Sequence, residues 1–189
     1  MTRLALHACC GPCLLEPYDA LAVEADEVVV VYANPNIHDL LEYERRRDTL
    51  QAYAEEHGIE VEELGYDPAR WMEEVGRFGS DKEQRCRACY RLRLSMTAEW
   101  AAEHGYDAIA TTLTVSPYQD AEGIREEGEW AAANAGVRYA GRDFRDRYRD
   151  ATQRSRDLGM YRQRYCGCIL SQVEAAEQRR AKEAKRADR

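Results

Sequence analysis

Leu4-Ala5-Leu6-His7-Ala8-Cys9-Cys10-Gly11-Pro12-Cys13 is the segment from which the chain's architecture is read. Leu4-Ala5-Leu6 is a short apolar run, Gly11-Pro12 breaks it, and Leu14 to Val23 resumes with helical spacing, so the segment is a strand, a tight loop and a helix. Its loop holds three thiols within five residues. A single cysteine at a strand end is usually a small buried hydrophobe. Three together, in a loop held open by Gly11 and Pro12, are better explained as soft ligands or redox thiols.

The same alternation repeats downstream. Glu27–Tyr32 is a β-branched run that ends in a loop at Asn34-Pro35-Asn36, as a buried parallel strand does. Asp39 to His57 places Leu40, Tyr43, Leu50 and Tyr53 at helical spacing and is closed by Gly58. Ile59–Leu64 alternates like a strand, Asp67-Pro68 opens a short helix, and Gly76 to Asp81 reads as a loop. Helices are expected over Tyr90–His104 and Asp120–Ala135, closed by Gly105 and Gly136, and strands over Asp107–Thr114 and Val137–Tyr139. Phe144 to Leu158 is an Arg-rich helix or irregular segment, and a last helix starts near Leu170. This pattern predicts an α/β fold, a single doubly wound, Rossmann-like and mostly parallel sheet flanked by helices. One domain is expected over residues 1–178, with a charged tail over 179–189. Ligands of such sheets bind beyond the carboxyl ends of the strands, so the loops at Cys9, Asn34 and Ser116 should share an edge.

A chain of 189 residues buries a sizeable core without disulfide or metal staples, so a bound metal would be functional rather than structural. No segment is an apolar run long enough to span a bilayer, and the start of the chain lacks a signal-peptide pattern. The expected location is the cytoplasm, where clustered thiols stay reduced and act as ligands or catalysts. Seven cysteines also fit a disulfide framework badly. Net charge is −8, but Arg138 to Arg164 carries +5 and Arg179 to Arg189 carries +4, which leaves −17 on the rest. A basic region on an acidic body can bind phosphate locally, although a run such as the C-terminal one is more often a solvated, salt-bridged helix face.

All the cysteines fall in three clusters, the first loop, Cys86-Arg87-Ala88-Cys89 and Cys166-Gly167-Cys168. A Cys-x-x-Cys pair at the start of a helix directs both sulfurs at one metal, and the helix N-terminus favours the thiolate. With Cys9 and Cys10 it makes four thiolates, enough for tetrahedral zinc or an iron-sulfur cluster. Adjacent cysteines are awkward for one tetrahedral ion, whereas a cluster offers separate irons, so iron-sulfur is favoured and zinc stays open. Cys166-Gly167-Cys168 would close a tight, easily reduced ring, suited to storing two electrons, with Gly167 supplying the backbone freedom. Two buried thiols in a turn are the plainer alternative. Cys13 is open to two readings, ligand of a single iron or packing under the loop.

These segments together resemble one family. His7-Ala8-Cys9-Cys10-Gly11-Pro12-Cys13, Cys86-Arg87-Ala88-Cys89-Tyr90-Arg91-Leu92-Arg93-Leu94, Ser116-Pro117-Tyr118-Gln119 and Tyr161-Arg162-Gln163-Arg164-Tyr165-Cys166-Gly167-Cys168 are similar to the QueH-type epoxyqueuosine reductases. Tyr32 to His38 and Glu42-Tyr43 share the likeness, which runs from Leu4 to about Ser171. It implies cobalamin-independent, two-electron deoxygenation of epoxyqueuosine to queuosine at the wobble position of tRNA. It also implies a four-iron four-sulfur (4Fe-4S) cluster on Cys9, Cys10, Cys86 and Cys89, a redox-active pair Cys166 and Cys168, and an additional mononuclear iron near Cys13. Family members can carry Asp at the Cys13 position, which suits a metal ligand. Where relatives often place His two residues beyond the Gln of Ser-Pro-Tyr-Gln, this chain has Ala121, so no proton-donating role transfers there. No glycine-rich phosphate loop is present, and ATP dependence is not expected. The electron donor is not legible.

An epoxide oxygen leaves readily only when a Lewis acid takes up its developing charge, and protons must follow. Tyr118, Asp120 and His38, on strand-end loops, are the candidates to deliver them. An ordinary role is equally open to each: packing for Tyr118, a helix N-cap for Asp120, a loop hydrogen bond for His38. Arg142, Arg145, Arg147, Arg149, Arg154 and Arg156 are candidate phosphate contacts, and Tyr161 or Tyr165 could stack on a base turned out of the anticodon loop. Two readings of other classes stand beside this one, a zinc-stabilised tRNA-binding module and a thiol-disulfide oxidoreductase acting through Cys166 and Cys168.

Overall fold

The computed structural model describes residues 2–187, so Asp188 and Arg189 of the expected tail lie outside the described residues. Five parallel strands, β1 (Arg3–His7), β2 (Glu27–Tyr32), β3 (Val61–Glu63), β4 (Ala108–Thr111) and β5 (Arg138–Tyr139), pair in the order β3-β2-β1-β4-β5. Because side chains alternate along a strand, both faces of β1 and β2 are apolar and both are buried. Leu4, Leu6, Val30 and Tyr32 pack with α1 (Gly11–Ala22), α2 (Leu40–His57) and α6 (Tyr148–Asp157). Ala5, Val29 and Val31 point the other way, onto α4 (Lys82–Glu103) and α5 (Ala121–Ala135). The remaining helices are α3 (Pro68–Glu74) and α7 (Ile169–Ala187). The expected doubly wound α/β fold is the observed one.

Helix ends follow local chemistry. Asp39, Asp67 and Asp120 accept first-turn backbone N–H groups at 3.1, 3.0 and 3.1 Å, which satisfies donors the helix leaves unpaired. Several boundaries differ from those expected. α4 begins at Lys82 under an Asp81 cap, eight residues before Tyr90, so Cys86 and Cys89 lie inside the helix and not at its start. Lys82-Glu83-Gln84-Arg85 lacks an apolar stripe but consists of good helix formers. β4 ends at Thr111, whose hydroxyl accepts the Leu113 N–H at 3.1 Å and tightens Thr112–Val115 into a 3-10 turn. Gly76–Phe78 and Arg145–Arg147 form further 3-10 turns, and α7 runs unbroken through position 178.

With all strands parallel, the loops after β1, β2 and β4 emerge at one edge. The Asn34 side-chain amide donates to the Ala8 carbonyl at 2.8 Å and ties the first two of these loops together. No helix of the described residues is long and apolar enough to cross a membrane.

Candidate active site

Cys10 is the N-cap residue of α1, in an extended conformation, and its side chain does not cap the helix. Its sulfur is thus free for other partners. Gly11 lets α1 start hard against α2, since a Cβ there would lie 3.0 Å from the Thr49 methyl and 3.2 Å from its carbonyl oxygen. The Cys9 and Cys10 sulfurs are 3.7 Å apart, those of Cys10 and Cys13 are 2.8 Å apart, and all three lie within 4.8 Å of one another. A tetrahedral ion with ~2.3 Å bonds to sulfur spaces its ligands by ~3.8 Å. Cys9, Cys10 and Cys13 can therefore hold a metal ion. Hydrogen bonding with Cys10 and Cys13, then the charge of Arg93, holds the Cys9 thiol well below its ordinary range, while burial pushes Cys10 up and hydrogen bonding pushes Cys13 up. The Gln163 amide donates to Cys10 at 3.0 Å and to Cys13 at 3.7 Å, and a cavity of about 90 Å³ lined by Tyr148, Thr152 and Arg162 opens on Cys13.

Cys86, Cys89 and Arg93 lie at i, i+3 and i+7 of α4 and share one face. Cys86 packs against the buried group that contains Cys9 and Cys10. Cys89 packs with Trp71, Val75, Leu92 and Cys168, and accepts from the Trp71 indole at 3.4 Å. Because neither thiol is at the helix terminus, the expected depression of their pKa is not found. Burial instead pushes Cys86 up to about 12 and Cys89 up to about 11. Cys168 is buried and accepts from the Ser171 N–H at 3.3 Å, whereas Cys166 is exposed. The Gln119 amide donates to Cys166 at 3.3 Å, and its carbonyl accepts from the Tyr90 hydroxyl at 2.7 Å. Cys166 and Cys168 are free thiols in this structure.

The loop between them is held by a buried cradle. Arg46 donates to the Cys166 and Tyr165 carbonyls at 2.8 and 3.1 Å and pairs with Glu42, which also accepts from the Tyr161 hydroxyl at 2.6 Å. The His38 N–H donates to the Gly167 carbonyl at 3.0 Å, and the Tyr165 hydroxyl donates to the His38 carbonyl at 2.5 Å. Gly167 has φ of 152°, and a Cβ there would meet the Asn36 amide at 2.6 Å. Only glycine lets the loop lie this close to the second strand-end loop.

Three arginines, Arg46, Arg85 and Arg93, are each only 1% exposed. Arg46 has Glu42 and Arg85 has Glu174. Arg93 has no carboxylate partner among the described residues; it donates to the Asn34 side chain at 2.6 Å and leaves its Nε unpaired. Its charge acts on Cys89, Cys9 and Cys166, one from each cluster. His7 is fully buried, bonds Thr111 through Nδ1 at 2.9 Å and leaves Nε2 unpaired; burial pushes it down to about 3, so it stays neutral. A buried cation without a counter-charge is costly. A soft metal bound by thiolates carries negative charge, and so the donor set and its surroundings fit such a group.

The candidate proton carriers are placed apart. Tyr118 is 82% exposed and meets Tyr148 edge-on at 6.1 Å. Asp120 caps α5 and borders a cavity of about 350 Å³ that Gln119, Tyr139 and Arg125 also line. His38 lies against the dithiol loop, edge-on to Trp71 at 4.9 Å, with Nδ1 accepting the Ile169 N–H at 3.2 Å; burial lowers its pKa. Of the six arginines, Arg142 pairs with Glu24, Arg145 with Asp143, Arg147 with Glu16, and Arg154 with Asp19 and Glu16. Arg149 and Arg156 have no ion-pair partner among the described residues. Tyr161 and Tyr165 are engaged in the cradle. Arg46, Arg93, Gln119 and Gln163 join the site although the sequence alone assigns them no role. For Arg93 the helical register with Cys86 and Cys89 was a usable signal, and both glutamines stand inside segments already singled out.

Comparison with known proteins places these residues in context. The family model described as "Epoxyqueuosine reductase QueH" matches residues 4–174. The chain is 35% identical to the epoxyqueuosine reductase QueH of Dehalococcoides mccartyi, over 91% of this chain and 93% of that protein. It is 30% identical to the QueH of Thermotoga maritima, over 94% of each. A solved structure of a predicted tRNA methyltransferase subunit from Methanocaldococcus jannaschii aligns with TM-score 0.49 and 10% identity, over 81% of this chain and 74% of that one.

Proposed function

The chain belongs to the epoxyqueuosine reductase QueH family, and on that premise we propose that it removes the epoxide oxygen of epoxyqueuosine at the wobble position of tRNA, with cluster iron on Cys9, Cys10, Cys86 and Cys89 and with Cys166 and Cys168 as a dithiol. The observation that carries the reading is the group of Cys9, Cys10 and Cys13 within 4.8 Å of one another at the carboxyl edge of the sheet, with Cys86 packed against its buried neighbours and Cys89 against Cys168. The overall reaction consumes two electrons and two protons, turns the epoxide into an alkene and releases water. When bound, a 4Fe-4S cluster and a neighbouring iron near Cys13 would supply single electrons and a Lewis acid for the oxygen.

The chain's own residues do the rest. Oxidation of Cys166 and Cys168 to a disulfide releases two electrons and two protons, which matches one turnover, and an external donor then restores the thiols. Cys166 is the exposed member and so the natural point of entry for that donor. Arg46 and Gln119 hold it in place, one by its carbonyl and one by its sulfur. His38, beside this loop and with a free Nε2, is the best placed of the three candidates to pass a proton. The wobble nucleoside would enter between the two cavities that border Cys13 and Gln119, the larger of which is within the size range of small-molecule sites. Arg149, Arg156 and the basic part of α7 supply phosphate contacts, and a cytoplasmic location follows from a tRNA substrate.

An anaerobic absorption spectrum with iron, sulfide and zinc analysis on one sample tests the metal, and nucleoside analysis of epoxyqueuosine-containing tRNA tests the reaction. Iron with about four sulfides per chain, and appearance of queuosine, is the expected result. The close spacing of Cys9, Cys10 and Cys13 favours one alternative, a single zinc in a tRNA-binding module. Stoichiometric zinc without sulfide, and no deoxygenation after iron-sulfur reconstitution, would establish that instead.

A further inference from the structure

We propose that Arg93 is a built-in counter-cation of the metal-thiolate centre, which favours its assembly and raises its reduction potential. Its place is unusual among the buried arginines. Arg46 and Arg85 are neutralised by Glu42 and Glu174, whereas no carboxylate lies against Arg93 among the described residues. Helix α4 fixes it one turn beyond Cys89 and two beyond Cys86. Asn34 fixes it from the other side, accepting from the guanidinium at 2.6 Å and donating to the carbonyl of Ala8, the residue before Cys9. The charge is thereby set between the two halves of the cysteine site and is kept from water.

A permanent charge in this position has two consequences. Thiolates gathered round a divalent metal or an iron-sulfur core leave the centre anionic, and a desolvated cation nearby lowers the cost of forming it. Adding an electron makes the centre more negative still, so the same cation favours the reduced form. Arg93 need not touch substrate to do this. It acts through the sulfurs, as a positioning charge.

The inference rests on the proposed metal site, and its test separates the two. Full-length wild type, Arg93→Met and Arg93→Lys are titrated anaerobically with cobalt(II), read by thiolate-to-metal absorption. They are then reconstituted with iron and sulfide, and midpoint potentials are measured. Arg93→Met should bind cobalt at least tenfold more weakly and shift the one-electron equilibrium tenfold toward the oxidised form, a fall of about 59 mV. Arg93→Lys keeps the charge and should stay within threefold of wild type in both. Unchanged cobalt affinity and potential in Arg93→Met would overturn the proposal, as would Arg93→Lys matching Arg93→Met, since shape and not charge would then matter. Wild type that binds no cobalt would overturn it as well. If wild type binds cobalt but forms no iron-sulfur chromophore, the cluster reading fails, and the cobalt affinities alone decide for or against Arg93.

Discussion

Removing Arg46 should cost the metal-free protein more than removing Arg93. Arg46→Met leaves Glu42 buried without its partner and two carbonyls without a donor, an expected loss of about 3–5 kcal/mol in urea denaturation. A Glu42→Met/Arg46→Met double variant removes both charges and should recover part of that loss. Arg93→Met removes a charge that has no carboxylate to leave behind but strips the buried Asn34 oxygen of its donor, so metal-free protein should lose less than Arg46→Met does, about 1–3 kcal/mol. Gly167→Ala is a more local change. The added Cβ would run into Asn36 at 2.6 Å and Ile37 at 3.2 Å, so the dithiol loop must move away from the sheet edge. Turnover on tRNA should fall more than tenfold for about 1–3 kcal/mol of stability, while metal uptake by the first loop stays at the wild-type level. Full turnover in this variant would show that the loop tolerates displacement and that its tight seat is not required.

Among the elements, α6 divides its arginines between packing and partners. Arg154 bridges to Asp19 on α1 at 2.5 Å and to the Tyr53 hydroxyl on α2 at 2.9 Å, so it closes the face of the sheet that α1, α2 and α6 cover. Arg149 and Arg156 do nothing comparable. Arg149→Gln/Arg156→Gln should therefore weaken tRNA binding and reduce the slope of log K against log salt by about 1.5, with unchanged melting. Arg154→Gln should cost about 1 kcal/mol of stability and leave the slope nearly as it was. The sequence showed six arginines in a row of candidates, and nothing in it could say which had acids waiting on α1. Those acids are more than a hundred residues away in the chain, and only the fold brings them near. The strands were legible for the opposite reason, because Leu4-Ala5-Leu6 and Val28 to Val31 are apolar on both faces and admit no other place. The start of α4 was not, since Lys82 to Arg85 has no apolar stripe and its cap is a lone Asp81.

For the molecule as a whole, the edge of the sheet that holds the candidate site could be read from the alternation of strands and helices, and a group able to bind metal could be read from the first cysteine cluster. Its electrostatics could not. Arg46 and Arg93 sit in helices where an arginine reads as a solvent-facing residue, yet both are buried, Arg46 against the carbonyls of Tyr165 and Cys166 and Arg93 against Asn34. That arrangement bears on what a metal held by Cys9, Cys10 and Cys13 would do for the fold. Of the buried residues in the two apolar layers that cover the sheet, only Cys9 and Cys10 in one layer are thiols. Metal removal should therefore loosen the site without unfolding the chain, unlike small zinc domains that are unfolded when metal-free. At a free metal concentration a hundredfold above Kd, binding stabilises by about 2.7 kcal/mol. For a domain of this size that corresponds to a melting temperature lower by about 5–11 °C in the metal-free protein. Far-UV circular dichroism at 25 °C should be nearly superimposable before and after chelation. Loss of most of the helical signal on chelation would mean instead that the metal organises α4 and the first loop into the sheet edge, and that the core does not hold them there alone.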